Sequence, residues 1–346
     1  MPFSLTPPGR RFSPGSDLLL RQPRRPRPCP RLSAAASIPA AAAALLTAAL
    51  ALPAPEALSA DGGRGPFPVS VTDAFGRTVT VSAAPERVVT VFSSNTELVA
   101  SLGLAGLIVG IDGLTFYPPE ILSVPRIGGR LGISLEEVVA RRPDLVLLTP
   151  SRQAAHTLTG PLDRLGIPAA VLVARDVDDI RRNLAAVAAL CGVREKGEEV
   201  LRGWDERLER VREGRRGRPV PRVVILTSRL STGLFLAARK GDYTASLIGL
   251  AGGRPALDEW GDTPRIPQIS PEALMALDPD VIIITRRQYV DDGLRDYLDK
   301  PAFANLTARR TGQIHTVPSA EFLISAGRVI DGVERLAAIF NAWGGR

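Results

Sequence analysis

The chain has 346 residues, with 43 Lys plus Arg against 36 Asp plus Glu and a formal net charge of +7. The surplus is local: residues 1–60 hold seven basic and two acidic side chains and the remaining 286 hold 36 and 34, which excludes a basic nucleic-acid binder for the body of the chain. At 45% hydrophobic and 23% charged, that body is ordinary globular sequence, longer than one typical domain of about 100 to 200 residues.

Residues 1–60 read as an export leader. The Arg24, Arg25, Arg27, Arg31 cluster precedes an Ala- and Leu-rich stretch over 34–58 and small residues at Ala57, Ser59 and Ala60, the order of a secretory signal. Pro39 and Pro53 break the stretch below the roughly 20 apolar residues of a membrane anchor. Its length predicts a translation start downstream of Met1, near Leu18 to Leu20. Cys29 lies ahead of the apolar stretch and cannot be a lipoprotein cysteine, so Cys191 is the one cysteine expected after cleavage, in a helix core.

After the leader the pattern alternates strand and helix. Residues 87–92 predict a strand leading into Ser93-Ser-Asn95-Thr96, where Asn95 or Thr96 would cap a helix through Leu102; 107–111 and 169–173 predict further strands. Two apolar stripes then predict consecutive helices: Ile180, Leu184, Val187 and Cys191, then Val200, Trp204, Leu208 and Val211. The second would run about 20 residues, or roughly 30 Å. Beyond them 222–227 predicts a strand, 243–250 a helix, 314–317 a strand and 325–343 a closing helix with Val329, Val333, Leu336 and Ile339 on one face.

An internal repeat organises these elements. Ile133-Ser-Leu-Glu136 through Pro143-Asp144-Leu-Val-Leu-Leu-Thr149 matches Ile269-Ser-Pro-Glu272 through Pro279-Asp280-Val-Ile-Ile-Ile-Thr285 without a gap, 136 residues apart. Each copy reads as a Ser N-cap, a short helix, a Pro-Asp turn and a strand apolar on both faces, which suits a sheet covered by helices on each side. The fold class expected is α/β: two Rossmann-like αβ lobes with mainly parallel sheets, joined by a single long helix, with a ligand cleft between them. The division expected is 1–60 leader, 61–178 first lobe, 179–218 linker helices and 219–346 second lobe.

Several segments, in this order and spacing, resemble the periplasmic substrate-binding proteins of ABC importers for cobalamin, ferric siderophores and haem. They are Asp73-Ala-Phe-Gly-Arg77, Pro85-Glu-Arg-Val88, Ser94-Asn95-Thr96-Glu97-Leu98, Tyr117-Pro118-Pro119, Ser134-Leu-Glu136 with Arg142-Pro-Asp144, and Pro267-Gln-Ile-Ser-Pro-Glu272. The resemblance implies export to the periplasm or cell surface, a monomer that binds a small-molecule metal chelate, and delivery to an ABC permease dimer. It places the permease-docking glutamates at Glu136 and Glu272, which otherwise read as acidic complements to helix N-termini. The Trp residues and Asp/Arg pair of cobalamin-binding members are mostly absent, whereas Tyr117 is kept. The cleft-edge loops offer Arg126, Arg239, Lys240, Arg286, Arg287 and Phe235 besides the expected ligand-binding set: Asn95, Tyr117, Arg130, Arg152, Arg229, Tyr243, Arg265 and Phe322. Arg130 and Arg265 stand out because both lie just upstream of the repeated Ser-x-Glu helices.

Cationic loops with aromatic walls suit a bulky anionic chelate, with a ferric siderophore ahead of a corrinoid or haem. The chain has only three Lys, so part of its Arg content reflects coding bias and each Arg alone can equally be solvated surface. Tyr117, His156 and Tyr243 are the side chains that could ligate haem iron; His315 reads as structural. Two histidines are too few for a dedicated zinc receptor. No resident cofactor is expected. There is no GxGxxG opening a helix, phosphate loop, GxSxG or HExxH, which argues against an enzyme, with a chelatase-like activity or a ligand sensor as the remaining alternatives.

Overall fold

The computed structural model describes residues 65–129, 132–150, 154–239, 241–260, 268–287 and 293–344. The leader, Arg130, Arg152, Lys240 and Arg265 fall outside the described residues. The first part of the chain forms β1 (Val69–Thr72), β2 (Thr78–Val81), β3 (Val88–Thr90), α1 (Ser93–Ser101), β4 (Ile108–Ile111), β5 (Gly128–Gly129), β6 (Gly132–Ile133), α2 (Leu135–Ala140), β7 (Leu145–Leu148), α3 (Ala154–Arg164) and β8 (Ala169–Val171). Two helices follow, α4 (Val177–Leu190) and α5 (Arg194–Arg215). The rest forms β9 (Arg222–Arg229), β10 (Phe235–Ala237), α6 (Tyr243–Leu250), β11 (Arg254–Pro255), β12 (Gln268–Ile269), α7 (Pro271–Leu277), β13 (Val281–Arg286), α8 (Leu294–Leu298), α9 (Thr307–Arg310), β14 (Ile314–Pro318), α10 (Ala320–Leu323) and α11 (Val329–Ala342).

The first sheet runs β4-β3-β7-β8, parallel throughout. The second runs β12-β10-β9-β13-β14: β9, β13 and β14 are parallel, whereas β10 pairs antiparallel with both β9 and β12. It is therefore a mixed sheet with a parallel centre. All four residues of β7 are buried, as are Val281 to Thr285 of β13, so both sheets are covered on both faces.

The repeat is built twice by the same contacts. Ser134 caps α2 by accepting the Glu137 N–H at 3.1 Å, and Ser270 caps α7 by accepting the Ala273 N–H at 3.1 Å. Each helix ends in a left-handed residue at the same place in the repeat, Arg142 at φ 47° and Asp278 at φ 39°. The aspartate of each Pro-Asp turn then grips the start of the neighbouring strand. Asp144 accepts the N–H groups of Glu86 and Arg87 at 2.8 and 2.9 Å, and Asp280 accepts that of Arg222 at 2.8 Å. The guanidiniums of Arg87 and Arg222 close the helix ends, donating to Arg141 O at 2.7 Å and to Leu277 O and Asp278 O at 2.9 Å.

Asp73-Ala-Phe-Gly-Arg77 is the β1–β2 turn. Asp73 accepts the Phe75 and Arg77 N–H groups, and the Arg77 guanidinium at 2.6 Å; the same guanidinium reaches Ala169 O at 2.8 Å, tying the hairpin to the edge strand β8. His156 stacks on Phe75 with ring centroids 4.7 Å apart, which fixes it to this hairpin.

One apolar core passes through both sheets. Alternate residues of β3 and β7 (Val88, Leu145, Leu147) and of β9 and β13 (Val223, Ile225, Val281, Ile283) point into a common helical layer made by α1, α4, α6 and α11, with Trp204 and Val211 of α5. The opposite sheet faces have their own cores, Val89, Val146 and Leu148 with Leu158 and Leu162 in one case, and Val224, Ile282 and Ile284 with Leu274 and Leu294 in the other. Helix α5, at 22 residues, is about 33 Å long. Its Arg207 clips α11, donating to Asp331 at 2.5 Å and to Glu334 at 2.6 and 2.9 Å.

Two expected helices differ. The first begins at Ser93, not at an Asn95 or Thr96 cap, because both side chains are turned inward: Asn95 is buried, and Thr96 Oγ1 lies 2.6 Å from Thr90 Oγ1. The closing helix begins at Val329 because α10 is a separate turn, parted from it by the extended Ile324.

Since Phe340 of α11 is fully buried in the shared core, Phe340→Ala is expected to cost about 3 to 5 kcal/mol. Urea unfolding followed by both far-UV circular dichroism and Trp fluorescence should shift as one transition. Two separated transitions would mean that the sheets do not share a cooperative core.

Candidate functional site

The parallel strands of both sheets end in loops, and ligands of open α/β sheets sit at such carboxyl ends. After β3 the chain turns at Phe92, which adopts φ 77°, ψ 143°, a conformation that costs a non-glycine residue energy and must be held from outside. Asp112, at the end of β4, does the holding: it accepts the Phe92 N–H at 2.8 Å, the Leu114 N–H at 2.7 Å and the Thr115 hydroxyl at 2.7 Å. Arg126 braces the same loop from behind, donating to Asp112 O at 3.0 Å and Thr115 O at 2.5 Å. Its guanidinium lies 5.6 Å from the Phe116 ring centroid.

The loop so fixed presents Leu114, Phe116 and Tyr117, which are 40%, 65% and 45% exposed. Large apolar side chains left in water side by side, on a backbone pinned by a buried carboxylate, form a ready-made wall for an apolar or conjugated ligand.

Tyr117 is backed by a cation from the other half of the chain. The Arg328 guanidinium sits 4.2 Å from its ring centroid. The edge of the same guanidinium meets Glu97 of α1 in a two-pronged ion pair, Nε to Oε2 at 2.9 Å and Nη2 to Oε1, across 231 residues of sequence. Glu97 is only 5% exposed. Tyr243 opens α6 close to Glu97; burial, with the charges of Asp242 and Glu97, pushes its phenol well above 10 and keeps it neutral.

The other expected ligand residues are placed as follows. Asn95 is 1% exposed and its amide is spent on Val91 O at 2.8 Å and Thr149 Oγ1 at 3.2 Å, joining the ends of β3 and β7. Phe322 is fully buried in the shared core, with its carbonyl accepting the Thr244 hydroxyl at 2.8 Å; it packs the lobe junction instead of walling a cleft. Phe235 is likewise core. Arg229 is half-buried at the end of β9 and stacks 4.2 Å from the Tyr297 ring centroid. Arg286, the last residue of β13, and Arg287 after it are exposed. Arg239 lies 3.9 Å from Asp242. The structure thus sets Tyr117 against Arg328 and Glu97, neither of which sequence reasoning had marked for the site, with Tyr243 within electrostatic reach of Glu97.

Glu136 and Glu272 are exposed in the first turns of α2 and α7, and neither takes part in an ion pair among the described residues. Backbone and Ser134 hydrogen bonds hold Glu136 below the usual carboxylate range; the Ser270 hydroxyl does so for Glu272. No group of His, Cys, Asp and Glu among the described residues is arranged to hold a metal ion. A separate groove of about 1100 Å³ runs along α4, α5 and α6 and shares none of these residues.

A profile of periplasmic binding proteins matches residues 88–321. The chain belongs to this periplasmic binding protein family. Among its relatives, an uncharacterised ABC transporter substrate-binding lipoprotein of Bacillus subtilis, YvrC, is 25% identical over 277 residues, covering 78% of this chain and 85% of its own. A cobalamin-binding protein of Halobacterium salinarum is 27% identical over 297 residues, 84% of this chain and 79% of its own. Among solved structures, the periplasmic haem-binding protein RhuT of Roseiflexus sp. RS-1 in its apo form superposes with a TM-score of 0.64 at 25% identity, over 76% of this chain and 100% of that one. The two-lobed α/β architecture is that of the family. No helix among the described residues is long and apolar enough to cross a membrane.

Burial pushes the Glu97 carboxyl above its ordinary 4.5; the Arg328 hydrogen bonds and charge oppose this, and Asp331 adds to it. A raised carboxyl pKa favours the fold most below pH 4.5, and that contribution is lost as pH rises through the raised value. The unfolding free energy of the parent minus that of Glu97→Gln should therefore be largest below pH 4.5 and decline toward neutrality. A difference that grows with pH would show the Arg328 attraction outweighing burial.

Proposed function

We propose that the chain is the exported substrate-binding component of an ABC importer, working outside the cytoplasm as a monomer that captures a bulky anionic metal chelate and hands it to a membrane permease dimer. The observation that carries this reading is the pair Glu136 and Glu272. Both are exposed and ionised, on N-capped helices built by the same contacts 136 residues apart. Two equivalent carboxylates on two related lobes suit a partner with two-fold symmetry. The names of the relatives, an ABC transporter substrate-binding lipoprotein, a cobalamin-binding protein and a haem-binding protein, point the same way.

The ligand is captured, on this reading, between the Leu114, Phe116, Tyr117 wall and guanidiniums from the facing loops: Arg229, Arg286 and Arg287, together with Arg130, Arg152 and Arg265 beyond the described residues. Ferric siderophores combine iron, anionic donors and apolar bulk, and are the first choice. A corrinoid or haem is the second reading, favoured by the exposed aromatic pair, on which a flat macrocycle can stack. A binding protein with no resident cofactor needs neither nucleophile nor base at this mouth; a chelatase would.

Titration of the purified protein with ferric enterobactin, an anionic tris-catecholate, and with cyanocobalamin and haemin, followed by absorbance and Trp quenching, should give tight binding to one of the three. Binding of none, also in protein recovered from iron-starved cells of its own source, would remove the chelate reading. Exchanging Glu136 and Glu272 together for Ala should abolish uptake of the bound chelate in cells while leaving its Kd within about twofold, since on this reading the two exposed carboxylates serve the permease and not the ligand. A parallel loss of affinity would refute the docking role.

A further inference from the structure

We propose that Arg328 is a positioning residue for ligand capture: it fixes the Tyr117 ring as a stacking surface and, through Glu97, ties that surface to the junction of the two lobes. The proposal rests on the reading that Tyr117 faces the ligand. The guanidinium is planar, and its two kinds of contact use different parts of it. One face covers the Tyr117 ring at 4.2 Å, and the Nε/Nη2 edge is engaged by the Glu97 carboxylate. Because Glu97 is buried on α1, whose Leu98 and Val99 belong to the shared core, the guanidinium cannot follow a swinging ring without breaking its ion pair.

Arg328 immediately precedes α11, whose Val329 and Ile330 are fully buried in that core. The ring is therefore held between a loop pinned by Asp112 in one lobe and a cation anchored in the other. One face of Tyr117 is occupied by the cation, so its remaining exposure, 45%, lies on the opposite face and the edge. A cation behind an aromatic ring draws π-electron density toward itself, so the outer face repels an electron-rich partner less. The ligand class that gains from this is a conjugated, electron-rich or anionic chelate, such as a catecholate, a corrin or a porphyrin. An apolar ligand without a π-system would not.

The test uses 3-fluorotyrosine incorporated at the four tyrosines of the chain, with the Tyr117 resonance assigned by Tyr117→Phe. In the ligand-free protein, Arg328→Gln should move the Tyr117 ¹⁹F resonance. Glu97→Gln, which keeps the guanidinium, should move it in the same direction by less; it also serves if Arg328→Gln folds poorly. Kd values for ferric enterobactin, cyanocobalamin and haemin supply the second readout. Arg328→Gln should weaken the ligand that binds by about tenfold, the scale of a partly desolvated cation–π contact. Arg328→Lys should recover part of the loss, and Tyr117→Leu combined with Arg328→Gln should bind no worse than Tyr117→Leu alone.

An unmoved resonance in both Arg328→Gln and Glu97→Gln would overturn the proposal. So would additive losses in the double variant, or weakened binding in Tyr117→Leu with none in Arg328→Gln. Tyr117→Leu binding as tightly as the parent would instead overturn the ligand-wall reading beneath it.

Discussion

The two sheets of this protein are fastened to one helical layer, and that shared apolar core is the constraint from which the rest follows. Inward residues of β3 and β7 and of β9 and β13 meet the same helices, so neither lobe can tilt far without opening contacts that are buried in the folded state. Polar clips reinforce it at its edges: Arg207 holds α5 to α11, and Arg328 holds α11 to α1. Freedom is left to the loops beyond the strand ends, where the exposed aromatic wall and the arginines lie. On the reading proposed above, such a receptor would recognise its ligand mainly by what its loops present, and little by closing around it.

Pseudo-symmetry explains why so few kinds of contact suffice. Each repeat combines a Ser cap, a left-handed helix end, an Asp that accepts strand N–H groups and an Arg that closes the helix carbonyls. These interactions fix the direction of α2 and α7 relative to their own strands, and so put Glu136 and Glu272 at equivalent places. The lobes differ in what is added to the shared unit: the second carries antiparallel β10 and β12, whereas the first carries the hairpin tied by Arg77 and the pinned loop at Asp112.

Much of this architecture was legible in the residues. Runs such as Leu145 to Leu148 and Val281 to Ile284 suited strands buried on both faces, and the gapless repeat gave the caps, the turns and the paired glutamates together. The stripes Ile180, Leu184, Val187 and Trp204, Val211 found the connecting helices. The site was harder to read. Asn95 and Phe322 stand next to cleft-forming segments, yet one spends its amide on two strand ends and the other fills the core, and no local pattern separates these fates from ligand contact. Glu97 and Arg328 are 231 residues apart, and no periodicity links them. Asp112 looked like any aspartate after a strand; only the strained Phe92 beside it reveals its task. Arginine richness hid the rest, since Arg126 and Arg87 serve backbone carbonyls while others in similar loops remain exposed.

The central claim is that a common core keeps the lobes nearly fixed while the mouth loops do the recognising. Ala140 and Ala276 are exposed at matching positions of the two repeats, and Cys191 is buried, so spin labels at Ala140→Cys and Ala276→Cys in a Cys29→Ser background report the separation of the lobes. Double electron–electron resonance should give one narrow distance distribution, displaced by no more than about 2 Å when the chelate is added. A broad distribution without ligand that collapses to a single shorter distance with it would contradict the account and put a working hinge between the lobes.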